Sequence, residues 1–579
     1  MTRKLTISLG QRSDRGLKEA NQDFYGAVLP QGPALALKGV ALAVADGVSS
    51  SRVSRVAAES AVKSFLSDYY CTSEAWSVKT AGQRVIAAAN SWLHGQSLRA
   101  GHAHEPERGY VCAFSALILK GATAHLLHVG DARVARLAGA SLDVLTEDHR
   151  VVVSADESYL ARALGAARDV EIDYRAVRIA PGDIFLLTTD GVHEYLSGAE
   201  IAQILAACGD DLDAAAGALI KMALANGSRD NLTVQIARIE TLGASDAADL
   251  LGRSEDLPPA PLLEPRQILD DFRIEREIHA SSRSHIYLAT DLATQKQVAL
   301  KVPSQDLRDD PAYLRRFMME EWTARRLDSP HVLKAWPDDR RRSALYLVSE
   351  YVEGQSLAQW MRDHPAPALA EVRDLIEQIA RGLRAFHRKE ILHQDLRPAN
   401  VLIDRSGTAK IIDFGATRVA GVIEASPDID AADILGTVQY SAPEYFLGLG
   451  GTTRSDLFSL AVIAYEMLTG RLPYGAGVAK ARTRAQQSRL AYRPACDATR
   501  DIPAWVDWAL EKALAVDPRQ RQEALSEFIE DLRRPNPLFL ARGGRPLIER
   551  DPALFWRIAA LLFAAASGTQ LLLHLAGLY

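Results

Sequence analysis

The stretch HQDLRPAN (393–400), with DFG (413–415) beyond it, decides how the second half of this 579-residue chain is read. Upstream, VALK ends in Lys301 and RRFMMEEW contains Glu320. Downstream, GTVQYSAPE runs to Glu444, SDLFSL carries Asp456, and DPRQR closes on Arg521. Each string alone is weak: a lysine ending VALK is usually a strand-end surface charge, and a lone DFG is a turn. VALK, HQDLRPAN, DFG, GTVQYSAPE, SDLFSL and DPRQR, six strings in one order, are very hard to obtain by chance. The surrounding pattern has the same polarity. Strand-like runs come first (HIYLAT, QVALKV, ALYLVSEYV), and helical segments follow. Val372, Leu375, Ile376, Ile379, Leu383 and Phe386 fall on one helix face. A small β-lobe followed by a larger α-lobe is expected.

This ordered set resembles the eukaryotic-like protein kinases over about residues 271–535. Phosphoryl transfer depends on alignment and charge neutralisation more than on covalent help. The resemblance implies that Lys301 holds the α- and β-phosphates of ATP, that Glu320 pairs with Lys301, and that Asp395 receives the substrate hydroxyl. It gives Asn400 and Asp413 to Mg²⁺, and places Ile278, Ala299 and Glu350 around the nucleotide. Arg397 stands where the family usually has Lys and keeps a cation near the transferred group. Glu444 and Arg521 are expected to form a structural ion pair. Thr437, with Arg397, favours Ser/Thr as acceptor.

Two departures stand out. Where the family's glycine-rich loop is expected, residues 278–287 read IHASSRSHIY, with His279, Ser281 and Ser284 at glycine positions. Glycine lets backbone approach phosphates closely, so the cradle is altered. A nucleotide-binding pseudokinase that regulates the first half of the chain stays open as the alternative, although Lys301, Asp395, Asn400 and Asp413 are all present. Gln394 precedes Asp395 where the family often has Arg, so activation through an Arg–phosphate contact is not expected.

The first 240 residues place acids at the ends of apolar runs: Asp46-Gly47 after VALAVA, Asp131 in VGDAR, Asp190 after IFLLTT, and Asp230 before NLTVQIARI. SDRGLKEANQDF (13–24) contributes Lys18 and Asp23. A single Asp-Gly is usually a β-turn. The ordered set, with RALG (162–165) and PGD (181–183), resembles the PPM-type metal-dependent Ser/Thr phosphatases over about residues 5–240. Carboxylates converging from separate strand ends suit hard Mg²⁺ or Mn²⁺ ions, and two such ions can activate water for in-line attack at phosphorus. The resemblance implies that Asp46 bridges two metals, with Asp190 and Asp230 completing one site and the Gly47 carbonyl serving the other. Asp131 is assigned to an additional metal. Lys18 replaces a phosphate-binding Arg and loses the bidentate fork. Gln22 replaces a Glu, which leaves Asp23 to help the second metal.

The fold expected is therefore multidomain α+β. An N-terminal α/β/β/α sandwich occupies 1–240, a proline-rich linker 241–268, and a bilobal kinase domain 269–535. A basic juxtamembrane segment is expected over 536–553, and a transmembrane helix over 554–577. From Ile558 to Tyr579 no Lys, Arg, Asp or Glu occurs, about the length that crosses a bilayer. Arg542, Arg545, Arg550 and Arg557 precede it, which leaves the domains on the cytoplasmic side. The competing expectation is a helix that packs on the kinase. A formal net charge of −6 offers no footprint for nucleic acid. Four scattered cysteines suggest neither zinc nor a disulfide framework. The expected partners are proteins bearing Ser or Thr, the chain itself included, with autophosphorylation reversed by its own phosphatase half across the tether.

Overall fold

A computed structural model describes residues 5–102, 105–138, 141–152, 158–242, 257–337, 340–425, 439–496, 502–542, 555–563 and 567. The N-terminal half stacks two antiparallel five-stranded sheets. One contains β1 (Thr6–Asp14), β6 (Arg133–Ala138), β7 (Ser141–Val144), β11 (Ile184–Thr188) and β12 (Leu232–Thr241), in the order β1-β12-β11-β6-β7. The other contains β2 (Phe24–Val28), β3 (Val40–Gly47), β4 (Cys112–Lys120), β5 (Thr123–Val129) and β10 (Asp173–Arg178), in the order β10-β5-β4-β3-β2. A short hairpin, β8 (Arg150–Val152) with β9 (Ser158–Leu160), stands apart.

The period-2 geometry of a strand explains the unbroken apolar run of β3. Val40, Leu42 and Val44 enter the core between the sheets. Ala41, Ala43 and Ala45 face α2 (Ser54–Cys71) and α3 (Val78–Arg99). On the far side, α5 (Gly198–Cys208) and α6 (Leu212–Ala225) cover Leu232, Val234 and Ile236. The α/β/β/α sandwich is thus formed. A short helix, α1 (Pro33–Lys38), precedes β3, and α4 (Asp190–His193) follows β11.

The second half begins with an antiparallel sheet, β13 (Ile268–Leu269), β14 (Phe272–Ala280), β15 (Ser284–Asp291), β16 (Gln297–Pro303) and β17 (Leu347–Glu350), crossed by the helix Pro311–Ala324. The α-lobe packs around helix Leu369–His387, whose face Val372, Leu375, Ile376, Ile379, Leu383 and Phe386 is buried as the spacing predicts. Helix Thr453–Thr469 lies in the same core.

Within the linker region, residues 243–256 lie outside the described residues. Residues 258–263 do not float free. Ala260 N donates to Leu345 O, Leu345 N donates to Pro258 O, and Ala260 and Leu263 join the β-lobe core. The expected transmembrane helix falls mostly outside the described residues. Among the described residues no helix is long and apolar enough to cross a membrane. Residues 555–563 are helical, and the rest of the expected 554–577 span lies outside the described residues, apart from 567.

Candidate functional sites

The sandwich brings five carboxylates to one edge. Asp46 ends β3, Asp23 precedes β2, Asp131 sits between β5 and β6, Asp190 opens α4, and Asp230 precedes β12. Close approach is enforced by glycines. A Cβ on Gly47 would stand 2.8 Å from Gln22 O and 2.9 Å from Ser54, and one on Gly191 would stand 2.1 Å from Asn231 O. Asn231 pins the loop carrying Asp23: its Oδ1 accepts from Gln22 N at 2.7 Å, and its Nδ2 donates to Arg15 O and Ala20 O.

Burial and mutual repulsion dominate the electrostatics. Desolvation, then the charges of Asp23, Asp190, Asp131 and Asp230, hold the Asp46 carboxyl well above its ordinary range. Burial pushes Asp23 up to about 7, against the hydroxyls of Thr233 (2.7 Å) and Thr189 (2.8 Å), which donate to its Oδ2. Asp190 is pushed up to about 6, by burial first and by Asp131 next. Among the described residues, Asp23 Oδ1 is buried with no hydrogen-bond partner. Buried like charges and an orphaned carboxylate oxygen fit a cation-binding centre. Among the described residues, however, no three His, Cys, Asp or Glu side chains stand close enough to enclose one ion.

The cations that meet these acids are protein side chains. Arg150, from β8, donates from Nε to Asp131 Oδ2 at 2.6 Å and from Nη2 to Asp190 Oδ2 at 2.7 Å, and pairs with Glu194 through Nη1. Lys18 Nζ lies 3.1 Å from Asp230 Oδ2 and donates to Ser49 Oγ. Gln22 is committed elsewhere: its Nε2 donates to Ser51 O at 2.9 Å and to Ser54 Oγ at 2.6 Å.

In the second half, β16 carries Lys301 to the cleft. Its Nζ donates to Glu320 Oε2 at 2.7 Å and to Oε1 at 2.9 Å, and stands 3.6 Å from Asp413 Oδ1. Burial alone would discharge Lys301, but Asp413 and Glu320 keep its ammonium above the ordinary range. Burial pushes Glu320 up to about 7 against the pull of Lys301, while that ammonium holds Asp413 low.

Asp413 and Gln394 both adopt left-handed backbone (φ 64° and 65°), tolerated only where surrounding contacts over-determine them. Asp456 supplies those contacts for the loop that starts at His393. Its Oδ2 accepts from His393 N and its Oδ1 from Gln394 N, each at 3.0 Å, and His387 Nε2 is 2.8 Å away. Asn400 Nδ2 donates to Asp395 O at 2.9 Å and to Oδ2 at 3.2 Å, and Arg397 Nε donates to Asn400 Oδ1 at 3.3 Å.

Ile278 lies on β14 and Ala299 on β16, while Glu350 accepts from Lys410 Nζ at 2.7 Å. The glycine-poor loop is a tight hairpin closed by a serine. Ser281 N and Oγ donate to Ser284 O, and Ser284 N donates back to Ser281 Oγ at 3.1 Å. The Tyr313 hydroxyl ties Arg283 O to the helix Pro311–Ala324. Arg521 meets Glu444 through both Nη atoms at 2.8 Å. Thr437 lies outside the described residues.

Sequence reading missed three participants: Arg150, the Thr189–Thr233 pair beneath Asp23, and the role of Asp456 as an anchor. TEDHR gives no hint that its arginine crosses to Asp190, because that meeting depends on the placement of the β8–β9 hairpin.

A bilobal domain with a Lys–Glu–Asp cleft resembles the protein kinases, and a double-sheet sandwich with a carboxylate edge resembles the protein phosphatases of the 2C type. The chain carries both: residues 272–532 match the protein kinase domain family, and residues 11–225 match protein phosphatase 2C. Serine/threonine-protein kinase PrkC of Bacillus subtilis (strain 168) is 29% identical over 277 residues, covering 47% of this chain and 41% of PrkC. The chain therefore spans less than half the length of that relative. Among solved structures, the Mycobacterium tuberculosis PknI kinase domain is 25% identical with a TM-score of 0.37, covering 47% of this chain and 99% of PknI's. The S. agalactiae serine/threonine phosphatase is 23% identical with a TM-score of 0.36, covering 41% of this chain and all of the other (100%).

Proposed function

We propose that this chain is a bifunctional signalling enzyme that phosphorylates and dephosphorylates Ser and Thr in proteins. The observation that carries the reading is the assembled Lys301–Glu320–Asp413 constellation, in one polypeptide with the buried carboxylates around Asp46.

In the kinase half, Lys301, held by Glu320, orients the α- and β-phosphates of ATP. Asp395, fixed from behind by Asn400 and Arg397, accepts the hydrogen bond of the substrate hydroxyl and takes its proton. Asn400 and Asp413 would hold Mg²⁺, which neutralises charge on the β- and γ-phosphates. Arg397 keeps positive charge beside the transferred group.

In the phosphatase half, Asp46, Asp190, Asp230 and the Gly47 carbonyl would hold two Mg²⁺ or Mn²⁺ ions, with Asp23 behind them and Asp131 near a further position. Such ions supply an activated water and stabilise an in-line displacement. Mg²⁺ keeps several of its waters, so carboxylates too far apart to enclose a bare ion still suit a hydrated one. Lys18 attracts the phosphate without a bidentate grip.

The assay is direct. Incubation with labelled ATP and a generic Ser/Thr protein substrate should show transfer that Asp395→Asn abolishes. Phosphate release with Mn²⁺ should disappear in Asp46→Asn. Transfer that survives Asp395→Asn, or release that survives Asp46→Asn, overturns the respective half of the reading. If the chain is its own substrate, Asp46→Ala retains more label than the parent, and equal labelling rejects that idea. The pseudokinase reading draws on the glycine-poor loop alone, and the side-chain bonds of Ser281 close that loop without glycine. Exposed Trp556, Leu561, Leu562 and Phe563 support a membrane-associated tail, which recovery of the chain from a cell membrane fraction would test.

A further inference from the structure

The two halves are joined by more than a linker. Lys120, at the end of β4, is completely buried, and both groups that accept from its ammonium belong to the kinase: Gly421 O at 2.7 Å and Glu424 Oε2 at 3.3 Å. A buried ammonium without such partners is strongly unfavourable, so this face of the phosphatase is incomplete until the kinase covers it. The same Glu424 oxygen accepts from Val78 N at 2.8 Å. Glu390 accepts from Ser77 N at 2.7 Å and from the Thr80 hydroxyl at 2.5 Å. Two kinase carboxylates thus cap the free N–H groups at the start of the 22-residue helix α3, where negative charge is favoured. Trp76 Nε1 donates to Arg388 O at 2.9 Å, Gly421 N donates to Ala75 O at 2.9 Å, and Glu74 pairs with Arg326. Leu37 and Ala75 enter the kinase α-lobe core beside Val422. The fit leaves no slack: a Cβ on Gly421 would stand 2.3 Å from Glu74 O and 2.7 Å from Trp76 O.

The kinase residues in this contact border elements that flank the cleft. Arg326 follows the helix that carries Glu320. Arg388 and Glu390 lead into the strand Ile391–Leu392 just before His393, and that strand pairs with Arg418–Val419, directly ahead of helix Ala420–Ala425. We propose that the phosphatase domain is a built-in docking partner of the kinase, its face of Glu74–Thr80 and Lys120 clamping segment 418–425 and the end of the Glu320 helix so that the cleft stays assembled. The phosphatase centre lies at the other end of the same sheet. Gly47 pairs with Cys112 at one end of β4, and Lys120 is at the other, a separation of about 27 Å at the rise of an antiparallel strand. Phosphatase chemistry is therefore insulated from the dock.

The test uses the full chain with Gly421→Leu as a steric wedge, and Thr80→Val with Glu390→Gln as a milder second variant. Amide exchange in peptides 74–80 and 418–425 should accelerate at least about tenfold in both variants, while peptides in β12 and in helix Leu369–His387 stay protected. Hydrolysis of p-nitrophenyl phosphate with Mn²⁺ should stay within twofold of the parent, and kinase turnover should fall at least about fivefold. Unchanged exchange at both peptides in the two variants overturns the dock. Faster exchange with kinase turnover unchanged overturns its control of the cleft. The control arm rests on the kinase reading above: a parent chain with no kinase turnover rejects that reading, and the exchange data still decide the dock.

Discussion

Asp23 offers the sharpest test of the phosphatase centre, because its carboxyl is buried, one oxygen has no donor, and Asp46 and Asp190 lie nearby. In the unfolded chain this group loses its proton near 3.8; in the folded protein it keeps it until about 7. The folded state therefore binds more protons across that window, and without metal its stability falls as pH rises through it. Roughly three pH units at 1.36 kcal/mol each give about 4 kcal/mol, fully lost above pH 7. In Asp23→Asn, Oδ1 can still accept from Thr189 and Thr233, and an amide replaces the orphaned oxygen. The metal-free variant should match the parent at pH 4 and exceed it at pH 8 by up to about 4 kcal/mol, or roughly 8–16 °C in the melting of a domain this size. Calorimetry in chelator at the two pH values measures this. Mn²⁺ should narrow the gap at pH 8, because a bound cation relieves the same repulsion. Coincident parent and variant melting at pH 8 in chelator, or a less stable variant, would refute the reasoning.

Three further outcomes are expected. Arg521→Met leaves Glu444 buried without its cationic partner and removes donors to Ala515 O, Arg454 O and Val516 O; the kinase half should lose about 3–5 kcal/mol, read as a lower urea midpoint. Arg150→Ala frees Asp131 and Asp190, so Mn²⁺ affinity by titration calorimetry should rise about tenfold, near 1.4 kcal/mol; unchanged affinity would mean that the guanidinium does not compete with metal. Asp456→Asn replaces one acceptor of the catalytic-loop anchor with a donor, worth about 1.5–3 kcal/mol, and kinase kcat should fall about 10- to 100-fold while Mn²⁺-dependent phosphate release is unchanged.

Much of this protein was legible without coordinates because its chemistry is written in residue type and order. Lys301, Glu320, Asp395, Asn400 and Asp413 are separated by up to 112 positions, yet each sits on or beside an element whose periodicity is local: β16, the helix Pro311–Ala324, the loop before the strand Val401–Asp404, and the loop after the strand Ala409–Ile411. The run of β3 read as an apolar strand ending at Asp46, and the structure buries it on both faces. Local patterns specify such elements because hydrogen-bond geometry and side-chain period act within a few residues.

What tertiary structure alone decided is how charges from different elements neutralise one another. Arg150 reached Asp131 and Asp190, Asp456 took up the backbone of His393 and Gln394, and Ser281 closed the loop where the family's glycines are expected. Lys120 ended in the other domain altogether. No spacing in the sequence encodes these meetings, because an ion pair or buried hydrogen bond depends on distance in space and on the water removed around it, and both are fixed only when separate elements pack.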